Sequence, residues 1–199
     1  MSASRRLLTL PPNSKGEIAI LRLLLLRHAK SDWAKETEDH DRPLSARGKK
    51  AAPQMALYMR DKGYEPSQVL SSSARRTKET LELLLPKWRG KPNVRYERAL
   101  YLADWPRLLS AVRTAKASSP LLLVGHNPGI GQLAIALALQ PKTPAERARA
   151  ERMALKFPTA ALAVLDFDAP TWRSIKPGQG RLVDYMRPRD LAIAGDQVK

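Results

Sequence analysis

The chain contains no cysteine. That removes disulfides, thiolate nucleophiles, iron–sulfur clusters and cysteine-ligated zinc together. A cytoplasmic location is the natural expectation for such a chain. Histidine is scarce too: only His28, His40 and His126 occur, so few metal sites could be built from imidazole. Acid is in deficit, with 19 Asp and Glu against 35 Lys and Arg, a formal net charge of +16. Long hydrophobic runs are absent. Residues 18 to 26 are apolar apart from Arg22 and fall far short of the roughly 20 residues a spanning helix needs. Leu121 to Leu139 is longer, but Gly125-His126-Asn127-Pro128-Gly129 breaks it in the middle. The first ten residues carry Arg and Ser without the apolar core and cleavage site of a secretory signal. They read as a floppy basic tail rather than a transit peptide, and no membrane contact is expected.

What is present suits an ordinary globular protein. The chain has 199 residues, 43% hydrophobic and 27% charged, enough for one domain with a core that needs no staples. A disordered basic tail would span 1–17, a single domain 18–188 and a C-terminal tail 189–199. The positive excess calls for an acidic partner: nucleic acid, anionic lipid or a phosphorylated substrate. A merely solvated basic surface is the plain alternative. No aromatic ladder or extended-groove signature accompanies the charge, so nucleic acid is not the expected partner.

Along the chain, residues 1–17 hold Pro11, Pro12, Asn13, Ser14 and Gly16 without periodicity and read as disordered. An apolar run from position 18 ends at Arg27-His28, the pattern of a buried strand. Ala29 to Leu44 reads as a loop. Ser45 is placed as the N-cap of an amphipathic helix that stops at Gly63. Further strands are expected at 69–71, 94–98, 121–124, 160–167 and 181–186. Helices are expected at about 74–88, 105–115 and 131–139, and 143–153 is a charged helical or loop segment. Alternating strands and helices predict an α/β fold, a three-layer α/β/α sandwich with a mostly parallel central sheet. Ligands of such sheets bind beyond the carboxyl ends of the strands, where His28 and His126 both fall.

Three segments carry chemistry. A rigid strand end delivers Arg27 and His28: a neutral imidazole can attack phosphorus, and a guanidinium matches phosphate oxygens. Ser71-Ser72-Ser73-Ala74-Arg75-Arg76-Thr77 turns from a strand into a helix. Its arginines oppose the helix dipole, a local conflict that a bound anion would relieve. Leu121 to Val124 ends in Gly125-His126. Its glycines match neither a P-loop nor a dinucleotide fingerprint. Taken singly, each has an ordinary reading: a surface-capping pair, an exposed basic turn, a satisfied core histidine.

Taken together and in this order, they resemble the histidine phosphatase (phosphoglycerate mutase-like) superfamily, and within it the SixA-type phosphohistidine phosphatases. Arg27-His28-Ala29 is similar to the Arg-His-Gly signature with alanine for glycine. Asp41-Arg42-Pro43-Leu44-Ser45, with Gly48, is similar to the branch's Arg-Pro-Leu-Ser/Thr segment. Arg76-Thr77 with Thr80 matches the second arginine motif, Gly125-His126-Asn127-Pro128-Gly129 the second histidine motif, and Pro158-Thr159-Ala160 also fits. The resemblance runs from about Leu21 to about Pro188.

It implies a hydrolase that needs no metal and no cofactor. His28 would be the nucleophile and become phosphohistidine. Arg27 and Arg76 would hold phosphoryl oxygens, with Arg75 the alternative to Arg76. His126 would complete the pocket and Arg42 add a further phosphate contact. Many members of the wider superfamily add a carboxylic acid that protonates the leaving group. Here Asp32 is the candidate, by proximity to His28, with Asp39 and Asp41 behind it. The expected partner is a phosphorylated substrate, a phosphohistidine protein or a small phosphoester. A phosphoglycerate-mutase-like phosphotransferase and a non-enzymatic phosphate- or RNA-binding protein are the competing readings.

Overall fold

The computed structural model describes residues 20–33, 37–116 and 119–195, with side chains to 191. The tail expected at 1–17 lies outside the described residues. Six strands form one sheet in the order β3-β2-β4-β1-β5-β6: β1 (Ile20–Arg27), β2 (Gln68–Ser72), β3 (Asn93–Glu97), β4 (Leu121–Gly125), β5 (Leu162–Asp168) and β6 (Arg181–Met186). β1, β2, β3 and β4 pair in parallel. β5 is the one reversed strand, antiparallel to both β1 and β6, so the sheet is mostly parallel, as expected.

The pleat explains why β1 is a nearly unbroken leucine run. Leu21, Leu23 and Leu25 enter one core, against Leu108, Leu109 and Val112 of α3 (Trp105–Arg113) and Ile130, Leu133 and Leu137 of α4 (Gly129–Leu137). Leu24 and Leu26 enter the other. There they meet Ala52, Met55 and Met59 of α1 (Ala46–Asp61) and Leu81 and Leu84 of α2 (Arg75–Leu84). A strand covered on both faces cannot alternate apolar with polar. The three layers follow directly, and truncating any of these leucines to alanine would cost about 2–5 kcal/mol.

Two further helices complete the chain. α5 (Pro144–Leu155) settles the ambiguous charged segment as a helix. Thr143 and Glu146 form a reciprocal capping box at its start. α6 (Pro188–Gly195) occupies the segment after Pro188 and packs Leu191 toward the α1 side of the sheet. Among the described residues, no helix is long and apolar enough to cross a membrane.

The register is what builds the site. β4 lies between β1 and β2. Arg27 pairs with Gly125 and Ser71 with Val124. One residue beyond these pairs, the three strand ends present His28, His126 and Ser72 side by side.

Candidate active site

His28 is 6% exposed, and its backbone N–H donates to the Gly125 carbonyl at 3.1 Å. Its Nδ1 stands 2.7 Å from the Ala29 carbonyl oxygen. A carbonyl only accepts, so Nδ1 carries the proton and Nε2 the lone pair. Burial, the neighbouring His126, and then Arg76 and Arg27 hold its pKa well below the ordinary 6.5. The imidazole is therefore neutral at physiological pH.

The strand end is pinned from several sides. The Ala29 N–H donates to Thr80 Oγ1 at 3.0 Å, and that hydroxyl donates to the Arg76 carbonyl at 2.6 Å. Thr80 thus ties the β1 end to α2 one turn after Arg76. The Ala160 N–H is shared between the Arg27 and His28 carbonyls, and Ala160 holds a left-handed backbone, φ 57°. Such a conformation in a residue with a Cβ is kept only where surroundings impose it. Gly48 in the first turn of α1 presses on the same loop: a Cβ there would stand 2.1 Å from the Lys30 carbonyl oxygen. Ser45 caps α1, accepting from the Gly48 N–H at 3.3 Å while its hydroxyl donates to that Lys30 carbonyl at 3.0 Å.

His126 lies 5.1 Å from His28, ring centre to ring centre. Its Nε2 is 2.8 Å from Ser72 Oγ. That hydroxyl also accepts from the Ala74 N–H at 3.3 Å; among the described residues its own proton has no acceptor other than Nε2, which places the ring proton of His126 on Nδ1. Burial first, then Arg76, lower the His126 pKa to about 3. Among the described residues, His126 Nδ1 and Arg27 Nε are buried without a hydrogen-bond partner. Buried donors are rarely left so.

Both expected arginine anchors reach the pocket. Arg27 donates through one terminal nitrogen to the Phe157 carbonyl at 3.0 Å, and Asn127 Nδ2 donates to the same oxygen at 2.9 Å. Burial and then the charge of Arg76 lower the Arg27 pKa, so two guanidiniums converge on one space. Arg76 is 3% exposed. Arg75, the alternative, faces solvent and pairs with Glu79 at 2.6 Å across one helical turn. The basic first turn of α2 thus splits, one guanidinium inward and one neutralised outside.

Arg42 also lines the pocket, with much of its guanidinium already engaged. It donates to the Asp32 carbonyl, Asp39 Oδ1 and Ser31 Oγ at 2.8–2.9 Å and lies 3.4 Å from the Trp33 ring centre. It clamps the loop after β1 as well as facing the cavity.

The carboxylates fall differently from their order of proximity. Asp32 is exposed, and its side chain accepts from the Trp33 N–H. Asp41 is exposed and pairs with His40 at 3.0 Å. Asp39 is exposed as well, but among the described carboxylates it is the one that lines the pocket. It accepts from Tyr101, from Arg42 at 2.8 Å and from Arg76 at 3.0 Å. The Tyr101 hydrogen bond foremost, then Arg42 and Arg76, hold it far below the usual carboxylate range. Tyr101 also meets the His126 ring edge-on at 5.5 Å. No motif in the sequence marks Tyr101; it arrives from the turn before α3.

The resulting cavity has a volume of about 280 Å³. Among the described residues, it is cationic, ends on two neutral imidazoles with opposite nitrogens bonded, and contains one firmly ionised carboxylate. Such a space takes a tetrahedral oxyanion.

The comparisons with known proteins agree. A sequence model described as the histidine phosphatase superfamily (branch 1) matches residues 23–105. An uncharacterized protein of Mycobacterium tuberculosis is 36% identical over 168 residues, 82% of this chain and 100% of the relative. The crystal structure of a SixA-type protein from Agrobacterium tumefaciens is 30% identical with a TM-score of 0.70, covering 84% of this chain and 98% of that one. The protein histidine phosphatase SixA, solved with tungstate, shares the fold at 22% identity and a TM-score of 0.68, over 86% of this chain and 99% of that one. Identity at this level over nearly the whole length of the relatives leaves one assignment: the chain belongs to the histidine phosphatase superfamily, with SixA-type proteins as its structural neighbours.

Proposed function

We propose that this phosphatase removes the phosphoryl group from phosphohistidine in a protein, through a covalent intermediate on His28. The observation that carries this reading is the His28 tautomer: Nδ1 is bonded to the Ala29 carbonyl, so the lone pair of Nε2 is the one available to the cationic pocket.

The reaction has two displacements. In the first, the Nε2 lone pair of His28 forms a bond to phosphorus as the bond to the leaving nitrogen breaks. The leaving imidazole, already protonated on its other nitrogen, keeps that electron pair and departs neutral. In the second, water attacks phosphorus, the P–Nε2 bond breaks with its electrons returning to His28, and phosphate departs with the proton lost to solvent. Arg27 and Arg76 hold the equatorial oxygens, and His126 Nδ1–H donates to one of them. Arg42 adds a further contact while it holds the loop.

The carboxylates among the described residues favour a leaving group that needs little help. Asp39 is held ionised by Tyr101, Arg42 and Arg76, so it has no proton to give at neutral pH. Asp32 is not among the residues lining the pocket. An alkoxide would leave poorly from such a site, whereas the imidazole of phosphohistidine is a far weaker base.

Turnover of p-nitrophenyl phosphate and of a phosphohistidine peptide tests the reading. The peptide is expected to be the better substrate by kcat/KM, and vanadate is expected to inhibit both. Insensitivity to vanadate, or preference for an alkyl phosphate over the peptide, contradicts it.

A further inference from the structure

A second cleft, of about 170 Å³, adjoins the catalytic pocket and shares Lys30 and Thr159 with it. Lys30, Arg47, Lys156, Arg187 and Arg189 line it, and among the described residues no acidic one does. These cations come from separate places: the loop after β1, the first turn of α1, the end of α5 and the β6–α6 junction. Folding has gathered them; no basic run in the sequence does.

They are not equivalent. Arg187 is 8% exposed and bonded twice to Asp190, at 2.7 and 3.0 Å, and Arg189 lies 3.6 Å from the same carboxylate. Lys30, Arg47 and Lys156 are exposed. Among the described residues, none of their side chains forms an ion pair. Arg47 also sits in the first turn of α1, which has no acidic residue, and a cation there opposes the helix dipole. An anion held in the cleft would relieve both the crowding of like charge and that local conflict.

We propose that this cleft docks acidic side chains, Asp or Glu, that lie near the phosphorylated histidine on a protein substrate. The proposal rests on the phosphatase reading above and names the chemistry around its target. Two features favour a polypeptide over a second phosphate of a small molecule. The available cations are long and solvent-exposed, unlike the buried guanidiniums of Arg27 and Arg76, so they adapt to carboxylates on a moving surface. The cleft is also smaller than the roughly 300–1,000 Å³ typical of small-molecule sites, yet has room for side chains.

The test compares two phosphohistidine peptides, one with Glu on either side of the modified residue and one with Gln, on the wild type and on Arg47→Glu/Lys156→Glu. For the wild type, kcat/KM on the Glu peptide is expected to exceed that on the Gln peptide about tenfold at low salt, the gap closing as ionic strength rises. The double variant is expected to lose or invert the gap and to hydrolyse p-nitrophenyl phosphate as the wild type does. Equal wild-type turnover of the two peptides overturns the proposal, as does a gap that persists in the variant. A small bisphosphate that outcompetes the Glu peptide at the cleft, with that advantage abolished in the variant, also overturns it. A wild type that hydrolyses neither peptide nor aryl phosphate overturns the phosphatase reading itself, and is recognised by the loss of both activities. The salt dependence of the wild type stands even if the variant folds poorly.

Discussion

The carboxyl ends of β1 and β4 look alike in sequence, an apolar run closing on a histidine, and the fold makes them neighbours in register. They differ in which imidazole nitrogen is bonded. At the β1 end a carbonyl takes the Nδ1 proton of His28, and Nε2 keeps its lone pair. At the β4 end the Ser72 hydroxyl engages Nε2 of His126, and Nδ1 is a buried donor without a partner among the described residues. Under the proposed mechanism, the two neutral imidazoles 5.1 Å apart would take opposite roles, one to attack phosphorus and one to hold its oxygen. One backbone carbonyl and one serine hydroxyl make the difference.

The largest expected effect separates these roles. His28→Ala is expected to reduce kcat on p-nitrophenyl phosphate by about ten-thousandfold or more. His126→Ala, which removes one donor to the transition state, is expected to cost about a hundred- to a thousandfold. Equal losses, or a larger loss for His126, would break the comparison. Ser72→Ala is expected to cost about tenfold, mostly in kcat, because the His126 tautomer is no longer fixed. Steady-state kinetics on the purified variants reads all three.

Both histidines also predict a pH dependence of stability. Their pKa values are lower in the folded chain than the ordinary 6.5, to about 3 for His126. Below pH 6.5 the unfolded chain therefore binds more protons. The stabilisation is complete above that pH and is lost as pH falls toward the folded values. Each histidine accounts for up to about 1.4 kcal/mol per pH unit. Urea unfolding between pH 7 and pH 5 measures the slope, and His126→Asn is expected to reduce it. An unchanged slope would mean that His126 is not buried neutral.

The smallest expected effect compares two carboxylates. Asp39→Asn is expected to lower kcat/KM about three- to tenfold, because Arg76 and Arg42 lose a charged partner. Asp32→Asn is expected to stay within about twofold. A strong effect of Asp32 and none of Asp39 would reverse the assignment made from the hydrogen bonds.

Much of this was legible in the sequence. The leucine runs before His28 and His126 identify strands buried on both faces, and the alternation of strands and helices identifies the layers. The resemblance to the family's second arginine motif, with Thr80 four residues on, preferred Arg76 to Arg75, and Thr80 does connect α2 to the β1 end. The reversed direction of β5 was not legible, because an apolar run has no polarity. The capping box of Thr143 and Glu146 was present in the sequence, yet the charged face of α5 hid its helical period. Asp39 and Tyr101 carry no local signal: one sits in a mixed-charge loop and the other in a turn, and only the tertiary fold brings them to Arg76. The second cationic cleft is likewise invisible in sequence, since positions 30, 47, 156, 187 and 189 meet only in space.

The most direct test of the central claim is a rapid-quench labelling with a radioactive phosphohistidine peptide, followed by mapping of the labelled site under alkaline conditions. The account predicts acid-labile, alkali-stable phosphate on His28 of the wild type, and none on His28→Ala. Phosphate released with no label on the wild type at any quench time, or label on a residue other than His28, would contradict it.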